Sequence, residues 1–295
     1  MSDGNGHNAH ITFKQPPERV VSLVPSLTQS LIDLDCSEKI VGVTEFCPLK
    51  EGQPLGEIVG GTHHVDVQKI SSLKPELILA NQEENDRQDV DALEQAGLNV
   101  WVTFPQTVDS AIQILWAIAR VFGVMKTAAP KILVIERSLE WVRRSVAGSD
   151  SKSIFVPIWQ ERNPDRGVYW MTFNAETYCD SVLSACGGKN IFYSRSRRYP
   201  LEAEFNPDLA EDAEGRDTRY PRVGVEEILK AEPDLILLPS EPFQFSEEHR
   251  QEMVGLLDGT PAVRDDKLLF VDGRWLSWHG TTLAEALVEL PTLVA

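Results

Sequence analysis

Short apolar runs alternate along this chain with stretches whose apolar residues recur at helical spacing. That alternation predicts α/β architecture with parallel strands. Arg19 to Val24 ("RVVSLV") reads as a buried strand, and a helix follows from Pro25-Ser26 to Leu34, with Ser26 as its cap. Further strands are expected at Ile40–Val43, Leu77–Ala80 and Val100–Thr103, with helices near Asp66–Ser72, Arg87–Ala96 and Thr107–Phe122. The rhythm then breaks: residues 127–146 keep helical spacing with no strand before them. This predicts a single helix about 30 Å long, capped by Thr127 and with Pro130 in its first turn. Strand–helix alternation resumes at Lys152–Pro157 ("KSIFVP").

The second half repeats a piece of the first. "ISSLKPELIL" ending at Leu79 and "ILKAEPDLIL" ending at Leu237 each give a helix, a Pro-acidic turn and a buried strand. The constant offset points to two similar lobes joined by one helix. The expected divisions are an N-terminal α/β lobe over 1–125, a connecting helix over 126–148 and a C-terminal α/β lobe over 149–295. Residues 195–222 interrupt the pattern with many charges and two "RYP" triplets, and are expected to be an inserted surface loop with a disordered middle.

Charge narrows the partners. With 28 basic and 45 acidic residues the formal net charge is −17. This argues against nucleic acid or an anionic membrane surface. No apolar run approaches the ~20 residues of a membrane span. The polar start, without an apolar signal segment or lipidation motif, leads to the expectation of a cytoplasmic protein as written, or a periplasmic one only if a leader has been removed. Four cysteines without CxxC spacing suggest reduced thiols rather than a zinc ribbon or disulfide framework.

The ordered set "RVVSLVPSLTQSL", "IVGVTEF", "VGGTHHVDVQKISSLKPELILA", "LEQAGLNVWVT", "CGGKNIF", "RVGVEEILKAEPDLILLP" and "LLFVDGRWLSWHG" resembles the helical-backbone (class III) substrate-binding proteins of ABC importers. These capture cobalamin, ferric siderophores, haem or metal ions. The resemblance is greatest to the cobalamin-binding branch and covers nearly the whole chain. It implies two Rossmann-like lobes with parallel sheets, a single long backbone helix joining them, and a ligand cleft between the lobes. It also implies an ABC permease as partner, met by one acidic residue on each lobe. By position these are Glu84 or Asp86 and Glu247 or Glu248, for which acids offsetting helix dipoles are the ordinary explanation.

The loops after the strands supply the candidate ligand site. They offer Pro25 and Ser26; Glu45 and Phe46; Thr62, His63 and His64; and Gln82 and Glu83. From the second half come Trp159, Arg162, Trp170, Glu241, Phe243, Trp278 and His279. Flat aromatic walls with a few polar handles suit a large planar or chelated ligand such as a corrin or porphyrin. Trp170 could instead pack the second lobe's core. His63, His64, His279 and Cys47 form a possible transition-metal set, or one imidazole an axial ligand to a metal macrocycle. For His64 the plainer reading is a polar residue just before a helix, and for Cys47 a small buried thiol.

Two function classes follow. The first is a non-catalytic binder of a metal chelate such as cobalamin, haem or ferric siderophore, acting as a cytosolic carrier or sensor. The other is a metal-dependent or Cys-His enzyme using Cys47 with His63 or His64, or a direct transition-metal-ion binder. The sequence contains no HExxH, GxSxG or P-loop motif and no GxGxxG after the first strand, which disfavours the enzyme.

Overall fold

The computed structural model describes residues 15–49, 52–148, 150–164 and 166–294. The chain divides into two compact units. The first takes the residues up to Pro105 together with 109–137 and 278–283, and the second takes 106–108, 138–277 and 284–295.

The first unit opens on β1 (Val20–Ser22), α1 (Pro25–Asp33), β2 (Ile40–Val43) and β3 (Glu57–Ile58). It continues through α2 (Val67–Ser72), β4 (Leu77–Asn81), α3 (Arg87–Gln95), β5 (Val100–Thr103) and α4 (Val108–Val121). Its five strands lie in the order β3-β2-β1-β4-β5, and every pairing is parallel. All five residues of β4 are buried, as a strand covered on both faces must be. Val21, Leu23, Ile70, Ile78, Leu93 and Val100 form one apolar core there.

The long helix α5 (Met125–Val146) has 22 residues, and the boundary of the units falls inside it, between Arg137 and Ser138. It begins two residues earlier than the pattern suggested. Thr127 does not cap it but sits in its first turn, where its hydroxyl donates to the Val124 carbonyl at 3.1 Å. Ser26 likewise is not the cap of α1. Val24 occupies that position and Pro25 starts the helix, where a missing N–H costs nothing.

The second unit runs β6 (Ser153–Phe155), β7 (Trp159–Asn163), β8 (Gly167–Met171), α6 (Tyr178–Ala185) and β9 (Lys189–Asn190). Next come α7 (Glu202–Phe205), β10 (Arg222–Gly224), α8 (Val225–Ala231), β11 (Leu235–Pro239) and α9 (Glu247–Leu256). It closes with α10 (Pro261–Arg264), β12 (Leu268–Val271), α11 (Arg274–Ser277) and α12 (Leu283–Val294). A parallel sheet has the order β12-β11-β6-β9, and a small antiparallel sheet the order β10-β8-β7. The repeated sequence therefore becomes α2–β4 in one unit and α8–β11 in the other, each strand fully buried.

Residues 195–222 are not the disordered insertion the charge pattern suggested. They contain α7, a 3-10 turn at Pro207–Leu209 and a β-bridge between Tyr199 and Glu211. The reason is a buried ion pair invisible to composition. Arg195 and Glu204 meet at 3.0 Å with almost no exposure, and the second Arg195 nitrogen bonds Glu227 at 2.8 Å. Glu204 also accepts from the backbone N–H groups of Arg198 and Arg222. A carboxylate with that many donors pins both ends of the segment.

Candidate ligand-binding loops

A parallel sheet with this strand order has a switch point where successive crossovers leave in opposite directions, and the loops diverge there to open a crevice at the carboxyl ends. In the first unit the switch lies between β1 and β4, and in the second between β6 and β11. The loops at those places carry the candidate residues.

In the first unit the carboxyl-end loops are tied together by Asn85. Its side-chain amide donates to the carbonyls of Leu23 and Thr62, at 3.4 and 2.9 Å, and its oxygen accepts from Asn81 N–H at 2.8 Å. One buried amide thus holds the loops after β1, β3 and β4. Asn81 adds a second tie, accepting from Glu83 N–H and donating to Thr103. The sequence signal for this role is faint: two Asn residues four apart at a strand end.

The turn "GGTHH" is built on Gly60, whose φ of 121° suits glycine alone. A Cβ there would lie 2.3 Å from the His64 carbonyl oxygen. The turn closes by the Gly60–Val65 bridge and by Gly61 N–H to His64 C=O at 3.1 Å. His63 and His64 are both exposed, and Glu45 and Phe46 stand over Gly61. Phe46 is 60% exposed. Thr62 is half-buried, while Gln82 and Glu83 are exposed at the end of β4.

Several other candidates are buried. Pro25 and Ser26 are buried, and so is His279. His279 Nδ1 faces the Ser26 hydroxyl at 3.4 Å. Burial alone holds the His279 imidazole down to about 4, so it is neutral near pH 7. Cys47 lies in a polar nest with the Thr28 and Thr44 hydroxyls, each 3.2 Å from Sγ. Burial raises its thiol above the usual value despite those hydroxyls. That is the opposite of an activated nucleophile, so the Cys-His enzyme reading loses its thiolate.

The expected metal set of His63, His64, His279 and Cys47 is not assembled among the described residues. The group that does converge is His64 with Asp86 and Asp89, whose ligand atoms lie within 4.8 Å of one another. Those carboxylates have local work: Asp86 meets His63 at 3.3 Å, and Asp89 accepts from Val65 N–H at 3.1 Å.

In the second unit Trp170 is fully buried and joins Phe155 in the core, so it is not a ligand wall. Its indole N–H donates to Gln160 at 2.8 Å. Arg162 points along the edge of β7 to Glu252 at 2.5 Å, tying the hairpin to α9. Trp159, by contrast, is 41% exposed and stacks edge-on against Phe243 at 5.3 Å. Phe243 contacts Phe245 and His249 in turn. Glu241 is the second residue of the loop after β11, and a Cβ on Gly273 would meet its backbone at 2.3 Å, so that loop is held close to the end of β12. Trp278 is half-buried. Of the acids, Glu84 is half-buried, Glu247 pairs with Arg250 at 3.2 Å, and Glu248 is exposed in the first turn of α9.

The profile of the family described as "Periplasmic binding protein" matches residues 20–273. The chain belongs to that family. Among its relatives are an uncharacterized ABC transporter substrate-binding lipoprotein of Bacillus subtilis, 27% identical over 70% of this chain and 67% of its own, and a vitamin B12-binding protein of Yersinia pestis. The latter is 25% identical over 95% of this chain and 90% of its own. Two solved structures share the fold. The periplasmic vitamin B12-binding protein of Vibrio cholerae has a TM-score of 0.70 at 22% identity, covering 94% of this chain and 96% of its own. The possible iron-binding periplasmic protein of Staphylococcus epidermidis has a TM-score of 0.71 at 21% identity, covering 94% and 98%.

This family member is a substrate-binding protein of the ABC-importer type with the class III fold. Its relatives are binding proteins of transporters, not enzymes. The cytoplasmic expectation is overturned: the relatives are a lipoprotein and periplasmic proteins, a location at odds with the cytosol. The polar start misled because a compartment is addressed by a short leader and leaves no mark on the folded body.

Proposed function

We propose that this protein captures a large metal chelate, a corrinoid, haem or ferric siderophore, at the carboxyl ends of its parallel sheets. The observation that carries the reading is a pair of aromatic side chains left in solvent at those ends: Phe46 after β2 and Trp159 after β6. Each offers a flat apolar face of the kind a macrocycle or aryl chelator covers. Polar handles come from Glu45 beside Phe46, from Thr62 on the loop after β3, and from Gln82 and Glu83 after β4. Relatives that bind vitamin B12 or haem support the ligand class. Glu84 or Asp86, and Glu247 or Glu248, are the carboxylates proposed to meet the basic surface of an ABC permease.

Titration of the purified protein with cyanocobalamin, hemin and a ferric siderophore, followed by absorbance and calorimetry, tests the reading. Binding of at least one with a one-to-one end point is expected, weakened in Phe46→Ala and Trp159→Ala. No spectral change and no heat with any of the three removes it.

A further inference from the structure

The segment 193–222 is built on the carboxyl end of the second unit's parallel sheet. Ala175 N–H bonds Tyr193 C=O, Asn174 N–H bonds Arg219 C=O, and Thr172 N–H bonds Pro221 C=O. Thr172 in turn donates to the carbonyl of Val156, one residue past β6. On this platform Tyr199 holds two guanidiniums against its ring, Arg197 at 4.6 Å and Arg216 at 4.1 Å. The Tyr199 hydroxyl donates to Asp217 C=O at 2.6 Å, fixing the ring.

The two arginines differ in what else they do. Arg216 donates to the carbonyls of Ala213 and Asp212. Among the described residues the Arg197 guanidinium makes no hydrogen bond or ion pair, so its five N–H donors are spent on none of them. Arg219 is matched by Asp217 at 2.6 Å, and Arg222 lies 3.9 Å from Glu161. Burial first and then the nearby charge of Arg197 lower Arg222, against Glu161, Glu204 and Tyr199, which raise it. Three carboxylates face these arginines: Asp217 feels Arg219 and Arg197, while Glu161 and Glu204 act on Arg222. Glu211, Asp212 and Glu214 on the same segment are exposed, and none pairs with Arg197 among the described residues. What the segment leaves available is the pair of guanidiniums on the Tyr199 ring, with the Arg197 donors still free to meet an anion.

We infer that Arg197 and Arg216, stacked on Tyr199, form an anion-recognition subsite that selects chelates carrying peripheral carboxylate or catecholate groups over neutral ones. This rests on the proposed chelate-binding function and sharpens it. The planar guanidinium suits such groups because it offers paired N–H donors that match two oxygens at once.

The test compares hemin and a ferric tris-catecholate, both anionic, with cyanocobalamin and a neutral ferric tris-hydroxamate. Wild-type protein is expected to bind an anionic chelate more tightly, with affinity falling as salt rises. Arg197→Gln and Arg216→Gln should each weaken anionic chelates roughly 10- to 100-fold and leave any neutral binding within about 2-fold. Arg197→Lys, which keeps charge but not the fork, should fall in between, with unchanged far-UV circular dichroism serving as the folding control. Equal affinity for neutral and anionic chelates, or equal losses for both in the variants, overturns the subsite while leaving chelate binding intact. Failure of every chelate to bind removes both.

Discussion

Acidification should destabilise this protein through one residue in particular. His279 is 4% exposed, and its imidazole is held at about 4 by burial, against 6.5 for the free group. Between those values the unfolded chain binds a proton that the folded chain refuses. Stability therefore falls as pH drops from about 6.5 to about 4, and the loss is complete below that window. A depression of two to three pKa steps at 1.36 kcal/mol each amounts to about 3 kcal/mol, of which about 2 kcal/mol is lost between pH 7 and pH 5. Carboxylates titrate as well, so the comparison must isolate the imidazole. His279→Asn keeps a polar group opposite Ser26, whose hydroxyl lies 3.4 Å from Nδ1, and removes the titration. Urea unfolding of both proteins at pH 8, 7, 6 and 5, followed by circular dichroism, gives the difference in stability at each pH. The wild type should start ahead and lose about 2 kcal/mol of its lead by pH 5. A difference that stays flat over that range refutes the argument, because it would mean His279 is as easily protonated folded as unfolded.

Three further outcomes follow from the packing. Glu204→Gln leaves buried Arg195 with one full charge partner instead of two, and should destabilise the second unit by about 3 kcal/mol in chemical denaturation; a loss below about 0.5 kcal/mol contradicts the anchoring role given to that pair. Trp170→Ala should cost about 3–5 kcal/mol of stability, whereas Trp159→Ala should cost far less and act on chelate affinity, and a reversed pattern in melting and titration would interchange the two roles. Gly60→Ala, which drives a Cβ against the His64 carbonyl at positive φ, should lower stability by about 2 kcal/mol, and an unchanged melting temperature would show that the turn is not held as described.

Much of the framework was legible because it is local. The strands at Ile40–Val43 and Val100–Thr103 coincide with their apolar runs, and the "KPELIL" and "EPDLIL" copies become matched buried strands. The candidate site was legible only to the level of which loops carry it. Phe46 and Trp159 stand exposed as a ligand wall would, yet Trp170, at the end of the next strand, turns inward. Alternation along β8 fixes that Trp170 and its neighbours point to opposite faces. Which face is covered depends on the helices and on β10, and sequence alone does not state that.

The sequence by itself determined the order of the first unit's main strands and helices, the repeated helix–turn–strand piece and the long α5, since each arises from apolar periodicity and turn residues within a short window. Tertiary structure alone decided which polar residues are spent on holding the protein together. Cys47, read either as a metal ligand or as a small buried thiol, and His279, offered as a ligand, are both buried against hydroxyls, and Arg195 with Glu204 turned a charged stretch into an ordered platform. The physical reason is that burial and ion pairing are properties of residues far apart in the chain. A histidine 253 positions from its serine neighbour acquires its chemistry only when the fold brings the two together.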